Sequence, residues 1–328
     1  MKNLLLIIST FGLSICTLKA QNTDEFKPLG KPEIQIFTNF NSSFTKGQKV
    51  NKFEVTRAYL GYSYSFSPTL SGRVTLEVGN PGVGRFQLTA LLKNGYLQYQ
   101  KEKLTVKFGM IGTPLFDVQE QFWGYRYILK SFLDQYGMGP SNDLGVSTSY
   151  KFSKTISADA IIQNGEGYAK HDADSTLKVA VGVTVHPTKN LLFRVYYDNM
   201  KKHQATQQTI ALMAGYANEN FKIGAEYNYQ TDNNLRKDQN YSGYSFYGTY
   251  FMSSKTNLFA RYDYLNSVNN IGQAHTWNYA KDGQLFLAGF EYNPVKGIGI
   301  SPNFQRWMPR DGSKSSISTV FLNVLVKI

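Results

Sequence analysis

The side chains whose types and spacing could do chemistry here are charges placed out of phase with the apolar residues around them. Lys107 stands between Val106 and Phe108, Arg194 between Phe193 and Val195, and Lys222 between Phe221 and Ile223. Read with a period of two, Arg57, Arg73, Lys107, Arg194, Lys222 and Arg261 share one face with Glu77, Asp159, Asp198, Glu226, Asp263 and Glu291. Arg73 with Glu77, Arg194 with Asp198, and Arg261 with Asp263 are same-face neighbours. A mixed set of this kind makes no catalytic centre. Its chemistry is electrostatic: fixed charges along a wet surface bias which dissolved ions approach. The same charges also serve a plainer purpose if they brace the wall through cross-strand pairs.

Covalent and metal chemistry find little else to use. Cys16 is the only cysteine, and it lies in the N-terminal apolar stretch. His171, His203 and His275 fall in long polar links and His186 in a short one, so no pair has metal-ligand spacing. His171-Asp172-Ala173-Asp174 reads as a solvated loop before it reads as a cation site. No Ser–His pair of a hydrolase is legible. The sequence predicts no catalytic residue, no metal and no cofactor.

The elements that position the charges alternate with period two from Pro32 to the C-terminus. Leu177, Val179, Val181, Val183 and Val185 alternate with Lys178, Ala180, Gly182 and Thr184. Val320, Leu322, Val324, Val326 and Ile328 fall on one face of the last segment, with Phe321 and Leu325 as exceptions on the polar one. Continuing the count gives about 16 strands of roughly 8 to 11 residues, enough to cross a thin membrane when tilted.

The links between strands sort by length. Those after even strands are short, at residues 67–69, 100–103, 153–154, 186–190, 218–220, 253–256 and 293–296. Those after odd strands are longer and polar, at residues 41–51, 79–85, 111–142, 164–175, 199–208, 231–240, 266–283 and 305–316. Short turns on one rim and long loops on the other predict an all-β transmembrane antiparallel barrel with periplasmic turns and extracellular loops. A soluble sandwich has no reason to segregate its loops this way.

Composition agrees. Aromatic residues make up 15% of the chain, with 23 Tyr and 22 Phe, and no later segment approaches 18 consecutive apolar residues. Lys2, the apolar run through Ile15, and Leu18-Lys19-Ala20 read as a cleavable signal peptide over residues 1–20. A lipoprotein cut at Leu13-Ser14-Ile15-Cys16 is the weaker reading, since Ile15 stands where a small residue is favoured. Residues 21–328 then form a single barrel domain in the bacterial outer membrane. Losing Lys2 and Lys19 lowers the formal charge from +12 to +10. Secretion and dispersed lysines argue against nucleic acid as a partner and leave outer-membrane lipid and small anionic solutes.

The link at residues 111–142 is long and aromatic, with Phe122, Trp123, Tyr125, Arg126, Tyr127, Lys130, Phe132, Asp134 and Tyr136. A loop in water gains nothing from so much apolar surface. It either folds into the barrel, presenting Arg126 and Lys130 to the wall, or packs over the rim or a subunit contact.

Four stretches carry a resemblance to a known family. Phe53-Glu54-Val55-Thr56-Arg57-Ala58-Tyr59-Leu60-Gly61 resembles the early strand of the phosphate-selective porins. Lys107-Phe108-Gly109-Met110-Ile111-Gly112-Thr113-Pro114-Leu115 is similar to their glycine-to-proline strand end. Asp143-Leu144-Gly145-Val146 and Asn164-Gly165-Glu166-Gly167-Tyr168 match the landmarks that follow. The resemblance implies a 16-stranded, trimeric channel for passive diffusion of small hydrophilic solutes, including anions such as phosphate. Thr56 and Tyr59 stand where the family often carries arginine, which thins its arginine ladder here. The expected solute-facing cations are Arg57, Arg73, Lys107, Arg126, Lys130, Arg194, Lys222 and Arg261. The rival reading is a non-conducting structural or adhesive barrel that binds a surface partner through its long loops.

Overall fold

The computed structural model describes residues 26–79, 88–170, 175–268, 272 and 274–328. The signal segment, most of the link at 79–85, and His171-Asp172-Ala173-Asp174 lie outside the described residues. The described residues form sixteen strands. The first eight are β1 (Leu29–Thr45), β2 (Gln48–Ser65), β3 (Leu70–Gly79), β4 (Thr89–Lys101), β5 (Leu104–Gly112), β6 (Asn142–Lys151), β7 (Ile156–Gln163) and β8 (Lys178–Val185). The rest are β9 (Leu191–Lys202), β10 (Ala205–Ala217), β11 (Phe221–Thr231), β12 (Tyr241–Phe251), β13 (Thr256–Ser267), β14 (Gly283–Tyr292), β15 (Ile298–Pro309) and β16 (Ile317–Lys327). Each pairs antiparallel with the next, and β16 pairs with β1, closing the barrel and leaving no edge strand.

The pairing follows from the alternation. In β8, Val179, Val181 and Val183 point outward and are exposed, while Lys178, Ala180 and Gly182 point inward and are buried. In β9, Phe193, Val195 and Tyr197 face out, and Arg194, Tyr196 and Asp198 face in. An apolar exterior around a polar interior is stable only when lipid, not water, surrounds it. Among the described residues no helix is long and apolar enough to cross a membrane.

The seven even-numbered connections are all short, as the spacing predicts. The opposite rim needs correcting at two places. The expected long links at 41–51 and 199–208 are hairpins whose connections are residues 46–47 and 203–204 alone. In both, the polar flanks stay paired above the apolar band: Thr45 opposes Gln48, and Lys202 opposes Ala205. Lys46 and Gly47 both take positive φ, the geometry that matches a two-residue hairpin to strand twist. Polar composition marked these residues as loop, but strand pairing does not stop where the lipid does.

The long connection between β5 and β6 lies inside the barrel. It carries α1 (Asp117–Trp123) and α2 (Phe132–Gln135) and lies against the inner wall through two apolar clusters. One joins Leu115, Phe116, Phe132, Leu133 and Met138 to Ile161, Ala180, Tyr196, Ala211, Tyr241 and Leu265. The other joins Trp123, Tyr125, Tyr127 and Ile128 to Phe37, Tyr247, Phe259 and Leu287. Leu325, an apolar exception on the polar face of β16, packs against this second cluster. Glycines make room on the wall. A Cβ at Gly215 would stand 2.7 Å from the Phe122 ring, and one at Gly243 would stand 2.2 Å from the Phe132 ring.

Candidate functional site

The loop packs on the inner wall at β1, β7 to β10, β12 to β14 and β16. Two cavities lie beside it. The upper one, about 860 Å³, reaches the long-loop rim and is lined by Arg57, Lys130, Asp134, Tyr168, Lys170, Lys202 and Lys237 among others. The lower one, about 290 Å³, is lined by Glu33, Arg73, Lys93, Lys107, Asp117, Glu120 and Arg126 among others. Ser141 lines both. Between them the loop and the wall face each other across a charged eyelet.

On the wall side, Arg57 Nη1 lies 2.6 Å and Lys93 Nζ 2.9 Å from the Glu77 carboxylate. Lys93 also donates to Ser141 Oγ on the loop at 2.7 Å, and the Tyr168 hydroxyl donates to Glu77 at 3.1 Å. Both cations owe their aim to β-bulges. Thr56 is the extra residue in the β1–β2 pairing, so Arg57 points inward although Phe53 and Val55 point out. Lys93 is itself the extra residue in the β3–β4 pairing. Period-two alternation cannot place such a residue, so Lys93 is not among the cations expected from the sequence.

On the loop side, Arg126 bridges Glu120 and Asp134, and Lys130 stands 3.6 Å from Asp134. Enclosure works to raise the Asp134 carboxyl, but Arg126, Lys130 and Arg57 outweigh it and hold it below the usual carboxylate range. Enclosure also lowers the Lys130 ammonium, against the pull of Asp134. Arg57 reaches the Tyr59 hydroxyl at 3.4 Å, and Tyr59 and Arg126 both line the lower cavity.

The other predicted cations divide into two groups. Arg73 pairs with Glu33 at 2.5 Å rather than with Glu77, and Lys107 lies over the Tyr96 ring; both line the lower cavity. Arg194, Lys222 and Arg261 face inward, but the loop covers them. Arg194 and Arg261 are each 2% exposed. Their side chains hold the loop's main chain: Arg194 donates to Pro114 O at 2.7 Å, Lys222 to Trp123 O at 3.1 Å, and Arg261 to Lys130 O at 2.7 Å. Same-face position fixes which way a side chain points and not what lies on top of it.

The acids follow the same division. Arg194 pairs with Asp159 and not with Asp198, whose partner is Lys178 at 2.8 Å. Arg261 pairs with Asp263 as its spacing suggests. Glu226 is buried on the inner face of β11, and Glu291 accepts from the Tyr127 hydroxyl. His275 stacks on Tyr279, away from the eyelet, and no group of three or more His, Cys, Asp and Glu gathers among the described residues.

Asp117, at the start of α1, is open to the lower cavity yet enclosed by the barrel around it. Removal from bulk water pushes its carboxyl up to about 6, against the attraction of Lys107. A carboxyl with that value is charged at pH 7 and neutral at pH 5. Lowering the pH through 6 removes one negative charge from the lower cavity and should increase anion preference. Reversal potentials recorded at pH 7.5 and pH 5 check this, and Asp117→Asn should abolish the difference.

No protein-family model matches the chain, and no curated protein sequence matches it. Solved structures do match along nearly all of it. The outer-membrane channel DcaP of Acinetobacter baumannii is 15% identical with a TM-score of 0.68, over 94% of this chain and 100% of that one. OprB of Pseudomonas putida is 9% identical with a TM-score of 0.69, over 91% and 94%. The anion-selective porin of Comamonas acidovorans is 12% identical with a TM-score of 0.67, over 92% and 100%. At these identities the likeness is one of fold. This chain is a closed sixteen-stranded transmembrane barrel, built on the same architecture as those proteins.

Proposed function

We propose that this protein is an outer-membrane porin, exported by a cleaved signal peptide, through which small hydrophilic solutes diffuse passively with a mild preference for anions. The observation that carries the reading is the eyelet. Polar, charged side chains line a gap between two cavities, and an apolar loop blocks the remaining lumen. A barrel built only for adhesion has no need to organise such a gap inside itself.

The preference for anions rests on the sign of the lining. In the upper cavity Arg57, Lys130, Lys170, Lys202 and Lys237 face two acids, Asp134 and Glu166. At the eyelet Arg57, Lys93, Arg126 and Lys130 meet Glu77, Glu120 and Asp134. The resemblance to phosphate-selective porins adds phosphate to the candidate solutes and a homotrimer to the assembly. Tyr59 occupies an arginine position of that family, and here the loop's Arg126 lines the same cavity as Tyr59. A cation beside the thinned ladder supports anion preference without a phosphate-specific site.

A reversal potential in a salt gradient across a planar bilayer tests the proposal. A modest shift toward the chloride potential is expected. Clear cation preference would show that the acids prevail, and no conductance would favour the plugged, adhesive barrel.

A further inference from the structure

The eyelet has a third side, supplied by the connection between β7 and β8. Gly165 and Gly167 take positive φ there, 112° and 88°, a bend that other residues resist. The Asp143 carboxylate accepts from Gly165 N at 2.6 Å, and Tyr168 N donates to Asn142 O at 3.0 Å. A Cβ on Gly167 would stand 2.5 Å from Cβ of Pro140. The segment is thus sewn to the returning end of the long loop, and the Tyr168 side chain reaches across to β3 and β4. Its ring centroid lies 4.3 Å from Lys93 Nζ, and its hydroxyl donates to Glu77 Oε2 at 3.1 Å. Lys93 and Glu77 belong to the inner wall of the passage, yet they are only 7% and 6% exposed. Tyr168 is half-buried and lines the upper cavity.

We infer that Tyr168 is a specificity-determining residue of the passage: its ring sets the width of the eyelet and closes the Glu77–Lys93 pair off from passing solutes. The inference rests on the channel reading proposed above and adds a size filter to it. A phenol fits this task because its face takes the ammonium and its hydroxyl serves the carboxylate, all without adding a charge. An aliphatic side chain would satisfy neither group. With only two side-chain torsions, the ring also holds its place at lower entropic cost than a long basic side chain. An anchor for the connection alone needs no such reach, since Asp143 and Asn142 already hold its backbone. Solutes therefore meet a neutral ring where the wall would otherwise offer them a carboxylate.

Two measurements on the folded full chain test this. Liposome swelling with uncharged sugars reads width apart from charge. Tyr168→Ala should raise the rate for raffinose relative to arabinose severalfold, Tyr168→Trp should lower it, and Tyr168→Phe should leave it near that of the unaltered chain. The second measurement reads the cover directly. Lys93→Cys, made with Cys16→Ser so that no other thiol is present, should react slowly with a neutral methanethiosulfonate. Adding Tyr168→Ala should speed that reaction about tenfold or more, with heat-modifiable gel mobility retained. An unchanged sugar ratio in both the Ala and Trp variants would overturn the filter, and a Phe variant that behaves like Ala would overturn its assignment to the ring. Fast labelling while Tyr168 is present would overturn the cover. An unaltered chain that passes neither sugar would refute the channel reading, and thiol protection that depends on Tyr168 would still be measurable in it.

Discussion

Removing residues 119–134 will raise single-channel conductance severalfold. Those residues carry most of α1, all three members of the Glu120–Arg126–Asp134 bridge, and the aromatic cluster around Trp123. Trp123 is fully buried; its indole nitrogen donates to Leu129 O at 2.9 Å, and its ring meets Tyr125, Tyr247 and Phe259. With them gone, the wall from β9 to β14 is open to water, and its inner face is already polar enough to be wetted. The strand ladder does not depend on the loop, so the barrel should still fold and keep its heat-modifiable mobility. Conductance equal to that of the intact chain, in a folded variant, would show that the eyelet does not limit flow.

Arg126→Ala should move the channel toward cations. The side chain is 15% exposed and bonds two carboxylates, so its loss leaves Glu120 and Asp134 facing the gap without their common partner. One unit of charge about 4 Å from a passing ion is worth about 1 kcal/mol in bulk water and about 4 kcal/mol where the effective dielectric is near 20. The ratio of cation to anion permeability should therefore rise at least about fivefold. Breaking a largely enclosed bridge also loosens the loop, and that alone alters current noise. Glu120→Gln with Asp134→Asn separates the two effects. It also breaks the bridge but keeps the cation, and should push selectivity toward anions. Equal shifts of the same sign in both variants would attribute the change to loop motion rather than to charge.

The barrel was legible because its signal is redundant. Period-two alternation in β8, β9 and β16 states the same inside and outside many times over, and a single exception does not move the reading. The eyelet was legible in part. Arg57, Arg126 and Lys130 stood out as charges in the right segments, but Lys93 lies at a bulge, where local geometry and not alternation sets direction. Alternation alone turns Arg194 and Arg261 toward the solute, because sequence phase carries no information about a loop arriving from another part of the chain. Three departures from the pattern do carry that information. Leu325 is apolar on a polar face, and Gly215 and Gly243 lack side chains on inward positions; each marks where the loop touches the wall.

The wall grips the loop by its carbonyls. Arg194, Lys222, Gln230, Arg261 and Asn323 reach oxygens of Pro114, Trp123, Met138, Lys130 and Tyr127. A carbonyl is the one group every amino acid supplies, so these moorings are indifferent to which residue bears them. Lys130 is fastened at its backbone while its ammonium hangs in the passage. Evolution, or a designer, can therefore rewrite the sieve at such positions without casting it adrift, and barrels with this arrangement should diverge fastest in what they admit and slowest in how they hold together.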